Sequence, residues 1–234
     1  MVLDRSLRKV DMPPKTLAAL EDLLDEGLGW RRAELIALEA EIEKCEKASP
    51  DGPLTRALVR GGIALLYAHW EGYTKEACEG YLDYVAIRRL RYNELCDGFV
   101  LTALLAMFRK AETGDDVARE ALLEAVRRPE DARARMPRRS VVNTKSNLRY
   151  EVLVEICEAV GLPYDQFITR RQLIDRSLCD ARNDIAHGRL VHSDADTFKG
   201  LRKSVVEMLE SIRALIVRYA RESLYRGQSL PSGA

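Results

Sequence analysis

The chain has little of what most function classes need. Aromatic residues make up 6% of its 234 positions, glycine and proline number 14 and 8, and 37 basic residues balance 37 acidic ones. Few glycines and prolines beside 47% hydrophobic content exclude a collagen-like, low-complexity or disordered chain, and leave a length able to bury a proper core. Zero net charge excludes indiscriminate attraction to polyanions, so any nucleic-acid surface must gather its positive charge locally. No apolar run approaches the roughly 18 residues of a bilayer span. The opening MVLDRSLRKVDMPP also lacks the apolar centre of a secretory leader, so the expectation is a cytoplasmic protein without membrane contact. Five cysteines (Cys45, Cys78, Cys96, Cys157, Cys179) are odd in number and never form CxxC, which argues against a disulfide framework or zinc site. A P-loop, a dinucleotide glycine pattern, HExxH and a nucleophile elbow are all missing, and no metal or cofactor is expected.

What is there is helical periodicity. Thr16 is placed to cap a helix carrying Leu17, Leu20 and Leu24. After a break at Gly27 to Gly29, the stripe resumes at Leu35, Leu38, Ile42 and Cys45. This reads as a hairpin or kinked helix, closed by the turn Ser49-Pro50-Asp51-Gly52-Pro53. A second long helix runs from about Leu54 towards Arg89, with Ile63, Leu66, Trp70, Tyr73, Ala77, Tyr81 and Tyr84 on one face. Further helices are expected at about 94–110, 115–128, 148–160, 171–187 and 194–224. In the last, Leu201, Val205, Met208, Ile212, Leu215 and Tyr219 form a seam wanting a partner helix, inside the molecule or across a dimer. No stretch alternates with period two, so the expected fold is an all-α bundle. Residues 1–53 form an N-terminal helical extension, 54–225 the main helical domain and 226–234 a flexible tail. The segment from Arg128 to Asn147 is the one long irregular stretch.

Only three histidines exist, His69, His187 and His192, so imidazole chemistry has few positions to use. One constellation stands out, Leu178 to Gly188, which places Arg182, Asn183 and His187 within six residues. Asn183 and His187 are four apart and share a helix face. Arg182 lies about 140° from His187 on an ideal helix, so the two flank a common ligand only near a helix end, which Gly188 supplies. Composition alone also fits a satisfied structural cluster. The irregular segment carries Arg127, Arg128, Arg133, Arg135, Arg138, Arg139, Lys145 and Arg149 against only Glu130 and Asp131 nearby. It reads equally as an RNA-binding surface or a solvated charged linker. The Trp70, Tyr73, Tyr81 and Tyr84 stripe is read as core or interface before base-stacking platform, and His69 as internally bonded. The Gly61-Gly62 pair points to close approach of another backbone.

Arg182-Asn183-Asp184-Ile185-Ala186-His187 resembles the R-x4-H signature of the HEPN superfamily, helical bundles that include many bacterial ribonucleases. Leu66-Tyr67-Ala68-His69-Trp70-Glu71-Gly72-Tyr73 and Asn143-Thr144-Lys145-Ser146-Asn147-Leu148 resemble two blocks of its stand-alone MAE-type group. Arg189 departs from the pattern, where an acidic residue is expected after the glycine. The resemblance covers about Leu54 to Leu224 and implies a HEPN-type bundle, a two-fold homodimer and metal-independent cleavage of RNA. It assigns catalysis to Arg182, Asn183 and His187. Arg138, Arg139, Lys145 and Arg149 are the residues expected to bind RNA. It further implies a role in toxin–antitoxin systems or antiviral defence, with an antitoxin or defence-system protein as partner. Some members of the superfamily are non-catalytic modules that bind nucleotides or partner proteins. That is the alternative reading here, beside a plain helical scaffold assembling through the 201–219 seam.

Overall fold

A computed structural model describes residues 12–137 and 141–227. Among them the architecture is all helical. Isolated bridges, Arg91 with Arg133 and Leu95 with Arg226, are the only β-type pairing. No described helix is long and apolar enough to cross a membrane.

Helix α1 spans Leu17–Ala48, and the Thr16 side chain accepts the Ala19 N–H at 3.1 Å. It runs unbroken through Gly27 to Gly29, so the expected hairpin or break is corrected to one continuous helix. Each internal glycine costs about 1 kcal/mol, but Leu20, Leu24, Gly27, Leu28, Arg31 and Leu35 keep one buried stripe across them. Burial of that stripe decides the conformation over local propensity. After the turn, where Thr55 Oγ1 donates to the Ser49 carbonyl, α2 spans Pro53–Ala86 with proline at its first turn. Seventeen of its 34 residues are buried, which makes it the central helix. Trp70, Tyr73 and Tyr81 are at most 1% exposed, so the aromatic stripe is core and offers no stacking platform.

Helix α3 (Asp97–Glu112) and α4 (Asp116–Arg127) pair over a small second core of Tyr92, Ala103, Met107, Ala125 and Ala132. Helix α5 (Tyr150–Ala159) follows the irregular segment. The π-helical stretch Leu173–Asp180 runs directly into α6 (Ala181–Ala186), and α7 spans Ala195–Arg221. The α7 seam finds its partners inside the molecule: Val205, Met208, Ile212 and Leu215 are buried, and α7 packs on α1 and α2. Five ion pairs set the antiparallel α1–α7 register, Glu21–Arg221, Asp25–Arg213, Arg32–Glu210, Glu39–Arg202 and Glu43–Lys199. Apart from the more shielded Glu39–Arg202, these are exposed pairs worth at most about 1 kcal/mol each, so they specify register more than strength.

The two adjacent glycines of α2 have opposite surroundings. A Cβ on Gly62 would lie 2.6 Å from the buried Phe198 ring, whereas one on Gly61 meets nothing within 4 Å. The close approach is therefore a ring of α7 and not a backbone. Gly61→Ala should stabilise the protein by about 0.5–1 kcal/mol through helix propensity. Gly62→Ala should destabilise it, since overpacking typically costs about 1–3 kcal/mol. Paired urea unfolding curves check both signs.

Candidate active site

The site begins with a buried peptide. Leu148 is fully buried; its N–H donates to Tyr67 Oη at 2.8 Å, and its carbonyl accepts from Trp70 Nε1 and Cys179 Sγ at 3.3 Å each. Just upstream, Thr144 Oγ1 donates to Glu71 Oε1 at 2.5 Å. Lys145 and Ser146 both take left-handed backbone angles (φ 54° and 55°), and the Asn143 side chain steadies them by accepting the Lys145 N–H at 2.9 Å. The 66–73 and 143–148 blocks, distant in sequence, thus form one contact surface.

Onto this surface α6 brings Arg182. Its Nη2 donates to the Ser146 carbonyl at 2.8 Å, and its guanidinium stacks on the Tyr67 ring 4.1 Å from the centroid. Its Nε is buried with no hydrogen-bond partner among the described residues. Burial pushes the Tyr67 phenol up to about 12, so the ring stays neutral beneath the cation. Arg182 is half-buried and held from two sides.

His187 sits at the opposite extreme. It caps the C-terminus of α6, is exposed, and its ring has no partner among the described residues. Gly188 at φ 73° closes the helix: its N–H donates to the Ile185 carbonyl at 3.1 Å and the Arg189 N–H to that of Asp184 at 2.8 Å. This pair of hydrogen bonds needs the left-handed residue that glycine supplies most readily. Arg189 then pairs with Asp184 at 2.8 Å, and its carbonyl accepts from Arg60 Nη2 at 2.8 Å, so the turn after His187 is tied to α2. Asn183 is half-buried with a free side-chain amide among the described residues.

The residues expected to bind RNA fare differently. Arg138 and Arg139 lie outside the described residues. Lys145 pairs with Glu155 at 2.5 Å and Arg149 with Asp180 at 2.5 Å. Glu130 and Asp131 are thus not the carboxylates these two cations meet: Lys145 takes one from the following helix and Arg149 one from the end of the π-helical stretch. His192 is exposed beside a groove of about 850 Å³ between the α1–α2 turn and residues 190–197. That groove carries Arg56 and Arg60 but also Glu46, Asp51 and Asp194, with no positive excess. Sequence reasoning gives no individual role to Tyr67, Ser146 or Arg60. Tyr67 and Ser146 lie inside the two resembling blocks, whereas nothing local marks Arg60.

In comparison with known proteins, the family model described as RiboL-PSP-HEPN matches residues 26–218. The match meets the superfamily expectation and does not carry the finer MAE-type grouping. No curated protein and no solved structure matches.

His69 belongs to the scaffold. It is 3% exposed, its Nε2 lies 2.7 Å from Glu34 Oε2, and Trp30 meets its ring edge-on at 5.2 Å between centroids. Burial holds it below the ordinary histidine value, and Arg31 pushes the same way against Glu34. Because the unfolded chain binds that proton more readily, its contribution is full above about pH 6.5 and declines as pH falls towards the folded value. Thermal melts across that range should show wild type losing its advantage over His69→Gln on acidification. A constant difference would contradict the assignment.

Proposed function

Because the chain belongs to the RiboL-PSP-HEPN family, we propose that it is an endoribonuclease that cuts RNA without metal, at a site shared by two identical subunits. HEPN domains are commonly ribonucleases, and nucleotide binding is the other activity compatible with membership. The observation that carries the reading is the contrast within one short helix: a held guanidinium at Arg182 and an exposed, unpartnered imidazole at His187.

Cleavage without metal takes its nucleophile from the RNA itself, the 2′-hydroxyl that DNA lacks. A neutral His187 takes the 2′-hydroxyl proton as that oxygen attacks the neighbouring phosphorus. The bond from phosphorus to the 5′-oxygen breaks, and a protonated His187 of the second subunit returns a proton to it. Imidazole suits both roles because it exists in both forms near neutral pH. Products are a 2′,3′-cyclic phosphate and a 5′-hydroxyl. Arg182, permanently charged, faces the phosphoryl oxygens as their charge grows, while Asn183 orients the ring or a phosphate oxygen. A two-fold dimer presents both copies of the motif to one cleft. In this reading Arg138, Arg139, Lys145 and Arg149 contact RNA, which displaces Glu155 and Asp180 from the latter two. The biological setting proposed is a toxin or antiviral-defence effector restrained by a partner protein.

His187→Ala should lower cleavage of a defined RNA by about 10²-fold or more. Wild-type cleavage should continue in EDTA and leave cyclic phosphate ends. Cleavage by His187→Ala at the wild-type rate contradicts the proposal. RNA binding without cleavage by the wild type would assign the chain to the non-catalytic modules instead.

A further inference from the structure

A second cluster of arginines lies at the far end of α2, and the R-x4-H motif does not account for it. Where α2 ends, residues 89–92 run antiparallel to 132–134: the Tyr92 N–H donates to the Ala132 carbonyl at 3.2 Å and the Ala134 N–H to that of Leu90 at 2.9 Å. Beside this pairing, between the end of α2 and residues 133–136, opens a recess of about 340 Å³. Arg89, Arg133 and Arg135 surround it, Ile87, Ala134 and Met136 are among its apolar lining, and no carboxylate of the described residues lines it.

Three features make this more than a solvated basic face. Arg91 and Arg133 are directly opposed in the bridge, and like charges so placed repel. None of Arg89, Arg91, Arg133 and Arg135 forms an ion pair with a described residue, whereas half of the described arginines do. Glu124 and Asp131 line only an adjoining, smaller recess, which Arg133 and Arg135 share. Arg89, moreover, stands in the left-handed region at φ 49°, just past the end of α2, where glycine or asparagine is the usual choice. A long cation kept at a backbone position that disfavours it directs attention to what the guanidinium meets.

We propose that this recess is a phosphate-binding site that grips the RNA backbone away from the point of cleavage. The proposal rests on the ribonuclease reading for the identity of its ligand. Guanidinium groups around an apolar floor suit a phosphodiester whose sugar or base lies against Ile87 and Met136. Along α2, Tyr67 under Arg182 and Ala86 at the recess are 19 residues apart, about 28 Å of helix. A short RNA reaches one place only, whereas a longer strand reaches both. The recess would then select for length and set the distance between the held phosphate and the cut.

The test measures binding of fluorescently labelled single-stranded RNAs, one short and one long, over a range of salt. It uses the full chain carrying His187→Ala, so the outcome is readable whether or not the wild type cleaves. Adding Arg89→Gln, Arg133→Gln and Arg135→Gln together should weaken the long RNA by on the order of tenfold. It should flatten its salt dependence by about 2 in logarithmic slope, near 0.7 for each phosphate that is no longer neutralised. The short RNA should be unaffected. Arg89→Asn guards against a misfolded triple variant, because asparagine takes that backbone position more readily. It should raise the melting temperature yet still flatten the slope for the long RNA. Unchanged binding of the long RNA by a folded variant overturns the proposal, as does an equal loss for both lengths. Competition by inorganic phosphate at the recess with RNA affinity untouched assigns it to a free phosphate and overturns it too.

Discussion

The arrangement depends on the peptide of Leu148. It is buried, and a buried peptide left unpaired costs about as much as a lost hydrogen bond on each side. Here its N–H and carbonyl are taken by Tyr67 and Trp70 of α2 and by Cys179 of the π-helical stretch. Three side chains from two elements therefore hold one residue of an otherwise irregular segment. With Leu148 fixed, the two left-handed residues before it turn the Ser146 carbonyl towards Arg182. Tyr67 serves twice, binding the peptide through its hydroxyl and the guanidinium through its face. The position of the cation follows from the satisfaction of a buried backbone group.

Helices with strong apolar periodicity are legible in the sequence because period and burial agree there. The α7 seam, the capped start of α1 and the aromatic stripe of α2 all fall where three- and four-residue spacing puts them. Gly27 to Gly29 mislead because propensity is local and the buried stripe that overrides it spans the whole of α1. The π-helical lead into α6 is equally invisible, since one wider turn hardly alters an apolar pattern over eight residues.

Of the site, the motif itself is readable and its surroundings only partly so. Arg182, Asn183 and His187 are close in sequence, and Gly188 announces the helix end that its φ of 73° requires. Lys145 meets Glu155 because α5 folds back beside it, and Arg149 meets Asp180 from 31 residues away, pairings that a count of charges along the irregular segment does not show. Arg60 and Arg89 lie on a helix and just past its end, where sequence alone reads a cation as solvated surface. Only tertiary structure brings one to the turn after His187 and the other to a recess lined by no carboxylate of the described residues.

The division of labour between Arg182 and His187 is the central claim. In the proposed reaction the motif of one subunit offers a positioned cation but a single imidazole, whereas the general base and the general acid are two. Differently tagged wild-type and His187→Ala subunits, co-expressed and purified as the mixed dimer, test this most directly by RNA cleavage. The account predicts that the mixed dimer is inactive, because one imidazole is missing from the shared cleft. About half of the wild-type activity, the sum of two independent sites of which one is intact, would contradict it.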